Sequence, residues 1–240
     1  MSDIGIRDAA RANAAWCDAV CGAHGSPGIF SASHWLSRAP APPYYPNLVT
    51  LDPAPGPALE AVGELDRAPP AASWAVKDSF GVLPLEGTGF RLLFGAEWIL
   101  RPAGIARSPR RSRSERWLRV ESEPALAAWE AAWGESLGQP RVFLPALLRR
   151  SEIAILGALG TGGTITAGVV ANRTEGVVGV SNLFAKGEAG GGPRADCIEA
   201  VLDAFPGLPL VGYESGQDLV ESRALGFRSL GALRVWVKGV

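Results

Sequence analysis

An apolar run, Gly176–Ala185 (GVVGVSNLFA), feeds a cluster of glycines at Gly187, Gly190, Gly191 and Gly192. The cluster in turn feeds an amphipathic helix that opens at Pro193 and carries Ile198, Val201, Leu202 and Phe205 on one face. A strand, a glycine turn and a helix start in this order confine the chain to folds in which a helix crosses over a sheet. The turn also gathers unpaired backbone N–H groups and the positive end of the helix dipole at one place, which suits a phosphate. Two readings stand at this level: the phosphate site of a nucleotide-type ligand, or a corner common to many α/β proteins.

Composition narrows the class. At 240 residues, with 47% hydrophobic and 20% charged residues, the chain can bury one or two sizeable cores. It has no run of 18 apolar residues, and MSDIGIRDAARANAAW lacks the basic-then-apolar layout of a signal peptide, so a cytoplasmic protein without membrane partners is expected. A formal net charge of −1 gives no overall attraction to nucleic acid. Cys17, Cys21 and Cys197 do not make a disulfide framework. Cys17, Cys21 and His24 share helical spacing, but they lie in an apolar stripe with Trp16 and Val20 and lack a fourth ligand, so no metal site is expected.

The chain divides within AGIARSPRRSRSER (103–116), whose five arginines (Arg107, Arg110, Arg111, Arg113, Arg116) and three serines offer almost nothing to bury. This gives an N-terminal α/β region (1–106), an Arg/Ser-rich linker (107–116) and a second region (117–240). The linker arginines are read as solvated, with contact to a ligand phosphate as the alternative. The first region reads as a helix over about 4–22, strands near 28–36 and 47–51, a helix near 58–65 and strands near 73–80 and 90–101, separated by proline-rich loops. Its aromatics, Trp35, Tyr44, Tyr45, Trp74 and Trp98, fill a core or line a pocket. The second region reads as a strand at 117–121, a helix from Pro124 to Trp133, a short segment at 142–150, and strands at 152–159, 164–172 and 176–185. A helix at 194–205, a strand at 208–214, a helix at 216–225 and a final strand at 229–238 complete a mixed sheet with helices on both faces.

That order, with Asn182-Leu183-Phe184-Ala185-Lys186 before Gly190-Gly191-Gly192-Pro193-Arg194 and with Ala224-Leu225-Gly226-Phe227 closing the last helix, resembles the GNAT superfamily of N-acetyltransferases. The resemblance covers residues 117–240; the first region hints at a reduced copy of the same fold. It implies acetyl-CoA as co-substrate, with Gly190, Gly191, Gly192 and Arg194 at the pyrophosphate. It also implies a splay between the fourth and fifth strands in which the backbone of Leu183, Phe184 and Ala185 holds the pantetheine arm and polarises the thioester. The acceptor would be an amine of a small molecule or a protein N-terminus.

Departures from the family pattern are specific. Ala189 stands where the family's loop begins with Gln or Arg, and Arg194 where it ends with Gly or Ala. Ser222 stands where a tyrosine protonates the leaving thiolate. Tyr213 and Glu214 at the end of the fifth strand are then the acid and base candidates, and as strand neighbours they point to opposite faces. The missing tyrosine and altered loop favour the alternative of a non-catalytic module of this fold that binds CoA or another ligand. A nucleic-acid-binding role for the arginine linker is disfavoured by the balanced charge.

Overall fold

The structure, a computed structural model, describes residues 4–107, 116–134, 140–160, 162–186 and 192–239. The first helix, α1 (Ile6–Ala23), buries Trp16, Cys17, Val20 and Cys21 along one face, and the Gly5 N–H donates to Asp8 Oδ2 in its first turn. Strands β1 (Ile29–Phe30), β2 (His34–Leu36) and β3 (Leu48–Thr50) follow, then α2 (Pro55–Arg67), β4 (Trp74–Asp78) and β5 (Phe90–Arg101). The second region runs β6 (Arg116–Arg119), α3 (Glu123–Trp133), a 3-10 turn (Pro145–Arg149), β7 (Ile153–Leu159), β8 (Ile165–Arg173) and β9 (Val178–Ala185). It ends with α4 (Gly192–Ala204), β10 (Leu210–Glu214), α5 (Gly216–Ala224) and β11 (Arg228–Lys238). The element order matches the sequence reading except that the segment read as one strand near 28–36 is the antiparallel pair β1 and β2.

Local chemistry sets the helix ends. Ser122 Oγ accepts from the Ala125 N–H, with Pro124 in the first turn of α3, where its missing donor costs nothing. At the end of α5, Gly226 adopts φ +88°, its N–H donates to Arg223 O, and the Phe227 N–H reaches back to Ser222 O. The Leu-Gly-Phe run is therefore a Schellman stop that needs glycine at its left-handed position.

All eleven strands form one sheet, in the order β1-β2-β3-β4-β11-β5-β10-β9-β8-β7-β6. Residues 117–240, the segment that the family resemblance covers, do not close a sheet by themselves. The strand beside β10 is β5 from the first region, and β11 lies between β4 and β5. The reason is length: β5 and β11, with 12 and 11 residues, pair antiparallel from Arg228↔Leu100 to Lys238↔Phe90, so each bridges to the other region. Most of the linker, residues 108–115, lies outside the described residues.

Alternation along the strands sorts side chains to two faces. Trp98, Leu100 and Val211 join the core under α1 and α3, around Trp16, Trp129 and Phe143. Ile99 and Leu210 join the opposite core with Cys197, Ile198, Val201 and Phe205 of α4. A third core packs α2 against Leu48, Trp74 and Trp236.

Candidate active site

Two irregularities in β9 open the sheet. The ladder between the parallel strands β9 and β10 holds only Leu210↔Val178 and Val211↔Gly179. Beyond it the register of β9 on β8 shifts between Val170↔Ser181 and Gly168↔Phe184, a bulge at which Asn182 takes φ +51°. Asparagine tolerates this left-handed conformation better than most residues. Past the bulge the Lys186 N–H donates to Thr166 O in β8. Strand alternation then turns Phe184 toward β8 as well, and leaves the amides of Leu183 and Ala185 on the side where β10 has moved away. Of the three backbone positions expected at the splay, Phe184 is thus committed to the neighbouring strand. Gly168 makes this packing possible: a Cβ there would lie 2.3 Å from Trp129 Nε1 and 2.5 Å from the Phe184 ring.

A cavity of about 630 Å³ runs through the gap. On the α1 face it is lined by Asn13, Trp16, Tyr45, Lys77 and Tyr213, and on the α4 face by Leu183, Arg194 and Glu214. Both regions of the chain therefore build its wall. Asn182 Oδ1 accepts from Trp16 Nε1 (3.0 Å) and from the Tyr45 hydroxyl (3.4 Å), which ties the bulge to α1 and to the first region. Burial holds the Tyr45 hydroxyl well above the ordinary tyrosine value, so it stays a donor. Tyr213 stands edge-on to Trp98 at 5.5 Å and stacks on Phe94 at 6.4 Å. Lys77 Nζ lies 4.3 Å from the Tyr213 ring centroid and donates to Asn13 Oδ1 at 2.7 Å. Burial pushes the neighbouring Cys17 thiol up to about 11, against the pull of Lys77, so no thiolate nucleophile forms there near neutrality.

Arg194 occupies a different environment from the one expected of a phosphate ligand. Its guanidinium, 9% exposed, pairs with Glu214 Oε1 (2.6 Å) and Asp218 Oδ1 (2.7 Å), lies 3.8 Å from Glu221, and donates to Ser222 Oγ at 3.4 Å. A cation this buried is stable only beside such acceptors. Burial alone would lower its pKa, but Glu214 and Asp218 outweigh it and the net shift is upward. The Glu214 carboxyl is raised, first by its own burial and then by Asp218, against the opposing pull of Arg194. Ser222 is buried and its Oγ accepts from Arg194. Gly192 opens α4, while Gly187, Gly190 and Gly191 lie outside the described residues. Arg107 is held by Glu199 (2.5 Å) and Asp203 (2.6 Å), which takes it away from any phosphate role.

Cys17 and Cys21 sit in the core, and a His24 ring nitrogen meets Val142 O at 3.0 Å. Sequence reasoning missed Lys77, Asn13 and Trp16, whereas Tyr45, Tyr44 and Trp74 line the cavity, one of the two roles expected of these aromatics. A signal existed for Lys77: it is one of three lysines in the chain, and it interrupts the otherwise apolar start of a strand, Trp74–Asp78.

No protein-family model matches the sequence, and no curated protein matches it. Solved structures do match. A GCN5-related N-acetyltransferase from Kribbella flavida is similar at 15% identity with a TM-score of 0.60, over 98% of this chain and 96% of that one. A putative acetyltransferase from the GNAT family of Novosphingobium aromaticivorans is similar at 16% identity with a TM-score of 0.54, over 93% and 97%. A functionally unknown conserved protein from Staphylococcus epidermidis is similar at 10% identity with a TM-score of 0.63, over 89% and 94%. The likeness spans both regions, and with the splayed β9 and β10 it identifies the chain as a protein of the GCN5-related N-acetyltransferase fold.

Proposed function

We propose that the chain is an N-acetyltransferase that moves the acetyl group of acetyl-CoA to an amine of a small molecule or a protein N-terminus in the cytoplasm. The observation that carries this reading is the cavity passing through the gap between β9 and β10, lined from β9 by Ser181, Asn182 and Leu183 beyond the point where the ladder to β10 ends. The gap fits the pantetheine arm, a slender polar chain that backbone groups can bond like an added strand.

In the transfer the amine nitrogen bonds to the acetyl carbon and the carbon–sulfur bond breaks. The nitrogen gives up one proton, the sulfur gains one, and an amide and free CoA thiol result. The amides of Leu183 and Ala185 stabilise the charge that develops on the carbonyl oxygen. Tyr213, at the edge of the gap, passes its hydroxyl proton to the sulfur and takes one back from the acylated nitrogen. Glu214 and Ser222 hold Arg194 at the start of α4, and Arg194 positions that helix instead of binding phosphate. The backbone N–H groups of the glycine run at 190–192 remain the candidate pyrophosphate site. We also read residues 1–106 as a reduced copy of the fold that has become one wall of the acceptor cavity.

A second reading, a binding or regulatory module that holds CoA without turnover, is favoured by one observation: the cation expected at the phosphate is already neutralised by Glu214 and Asp218. Titration calorimetry with acetyl-CoA, followed by thiol release over a panel of amines, separates the two. Binding with turnover supports the enzyme, binding without turnover on any amine supports the module, and no binding removes both.

A further inference from the structure

Among the described residues, Lys77 is the one charged group on the α1 face of the cavity whose charge is not matched nearby. Its side chain lies in the cavity wall, and the residue is only 5% exposed. Of its three N–H donors one goes to Asn13 Oδ1, and the Tyr213 ring covers another side. Among the described residues no carboxylate pairs with Nζ. The cavity's own acids, Glu214 and Asp218, are taken by Arg194 on the other face of the sheet. A lysine buried to this extent without a counter-ion is costly in the empty protein and becomes favourable when an anion arrives.

The rest of the wall describes what accompanies that anion. Trp16, Tyr45 and Phe94 line the interior, while Tyr44 and Trp133, edge-to-face at 5.4 Å, line the mouth. Flat aromatic walls favour a ring. A single ammonium balances a group of charge −1 better than a phosphate ester of nearly −2.

We infer that this cavity takes an aromatic carboxylate, with Lys77 as its counter-ion. Resting on the acetyltransfer reading, this ligand is the acceptor: an amine that bears both an aromatic ring and a carboxylate. Tyr213 links the two ends, because its ring lies under Nζ while its strand forms one edge of the gap. An acceptor whose carboxylate sits on Lys77 therefore places an amine a few bonds away at the thioester.

The test uses matched pairs that differ only in the carboxylate: phenylalanine against 2-phenylethylamine, tyrosine against tyramine, and 4-aminobenzoate against aniline. With the full chain and acetyl-CoA, the acid member of at least one pair is expected to have a kcat/KM roughly 10–150-fold higher, mostly through KM, the range of a charge-assisted hydrogen bond. Lys77→Met should bring that ratio close to one, and Lys77→Arg should retain part of it. Equal kcat/KM within every pair overturns the inference, and so does a preference that survives Lys77→Met. Binding of 3-phenylpropionate, which has no amine, is measured separately by calorimetry. If no amine is acetylated, binding to the unmodified protein that Lys77→Met abolishes keeps the carboxylate site and removes the acetyltransfer reading. Absent binding, or equal binding by both proteins, overturns the site. Should Lys77→Met fail to fold, the pairs and 3-phenylpropionate on the unmodified protein still decide.

Discussion

The sheet contains two parallel strand pairs built alike, and only one of them is open. In the first region β3, α2 and β4 form a strand–helix–strand unit whose ladder is Leu48↔Val76 and Val49↔Lys77. In the second, β9, α4 and β10 form another, with Leu210↔Val178 and Val211↔Gly179. Both ladders stop after two pairs. Past the first, the Ser79 N–H donates to Thr50 Oγ1 at 2.7 Å, and the Asp78 carboxylate accepts from the Leu83 N–H at 2.9 Å, all in the buried interior. Past the second, the bulge at Asn182 turns β9 away from β10 and the cavity enters. Where the first pair diverges, side chains satisfy the backbone, whereas past the second the proposed ligand meets the Leu183 and Ala185 amides.

That contrast predicts which substitutions affect activity and which affect stability. The largest effect belongs to the open gap: Tyr213→Phe should lower kcat roughly 10²–10⁴-fold in steady-state acetylation, with little change in acetyl-CoA affinity. A near-normal kcat would place the acid elsewhere. Arg194→Ala leaves Glu214 buried without its cation and should cost about 3–5 kcal/mol of unfolding free energy in a urea titration. Losing CoA affinity with stability intact would return Arg194 to the phosphate. Asp78→Ala, at the closed gap, should cost about 2–4 kcal/mol by orphaning buried backbone donors, with kcat little changed.

The Glu214 shift has a definite sign. Because its folded pKa is raised above the ordinary 4.5 by burial, the native state holds the proton more tightly than the unfolded chain does. Its contribution to stability therefore grows as pH falls through the raised value toward 4.5, and is lost as pH rises. Subtracting the pH profile of Glu214→Gln from that of the unmodified protein should isolate this slope, and a difference of opposite slope would show that the Arg194 pair dominates. Ser222→Ala gives up one 3.4 Å bond and should cost about 1 kcal/mol or less with no kinetic defect.

How much of this was legible beforehand depends on sequence distance. The element order followed from local signals: the amphipathic stripe of α1, Ser122 and Pro124 at the start of α3, and the Leu-Gly-Phe stop after α5. The position of the splay was expected too, but only as what the family resemblance implies. Partnerships across the chain were not. Nothing near Arg194 announces that Glu214, Asp218 and Glu221 converge on it. Asn182 adopts its left-handed backbone beside Trp16 and Tyr45, which are distant in sequence. The exchange of β5 and β11 between regions is likewise invisible to periodicity, which marks a strand without naming its partners.

The central claim is that β9 and β10 open a ligand gap while β3 and β4 do not, and amide hydrogen exchange with and without acetyl-CoA tests it directly. The account predicts new protection at the amides of Leu183 and Ala185, in peptides spanning 180–186, and at the glycine run 190–192 proposed for the pyrophosphate, with no change over 76–83. Binding of acetyl-CoA without protection at 180–186, or with equal protection at both strand pairs, would contradict it.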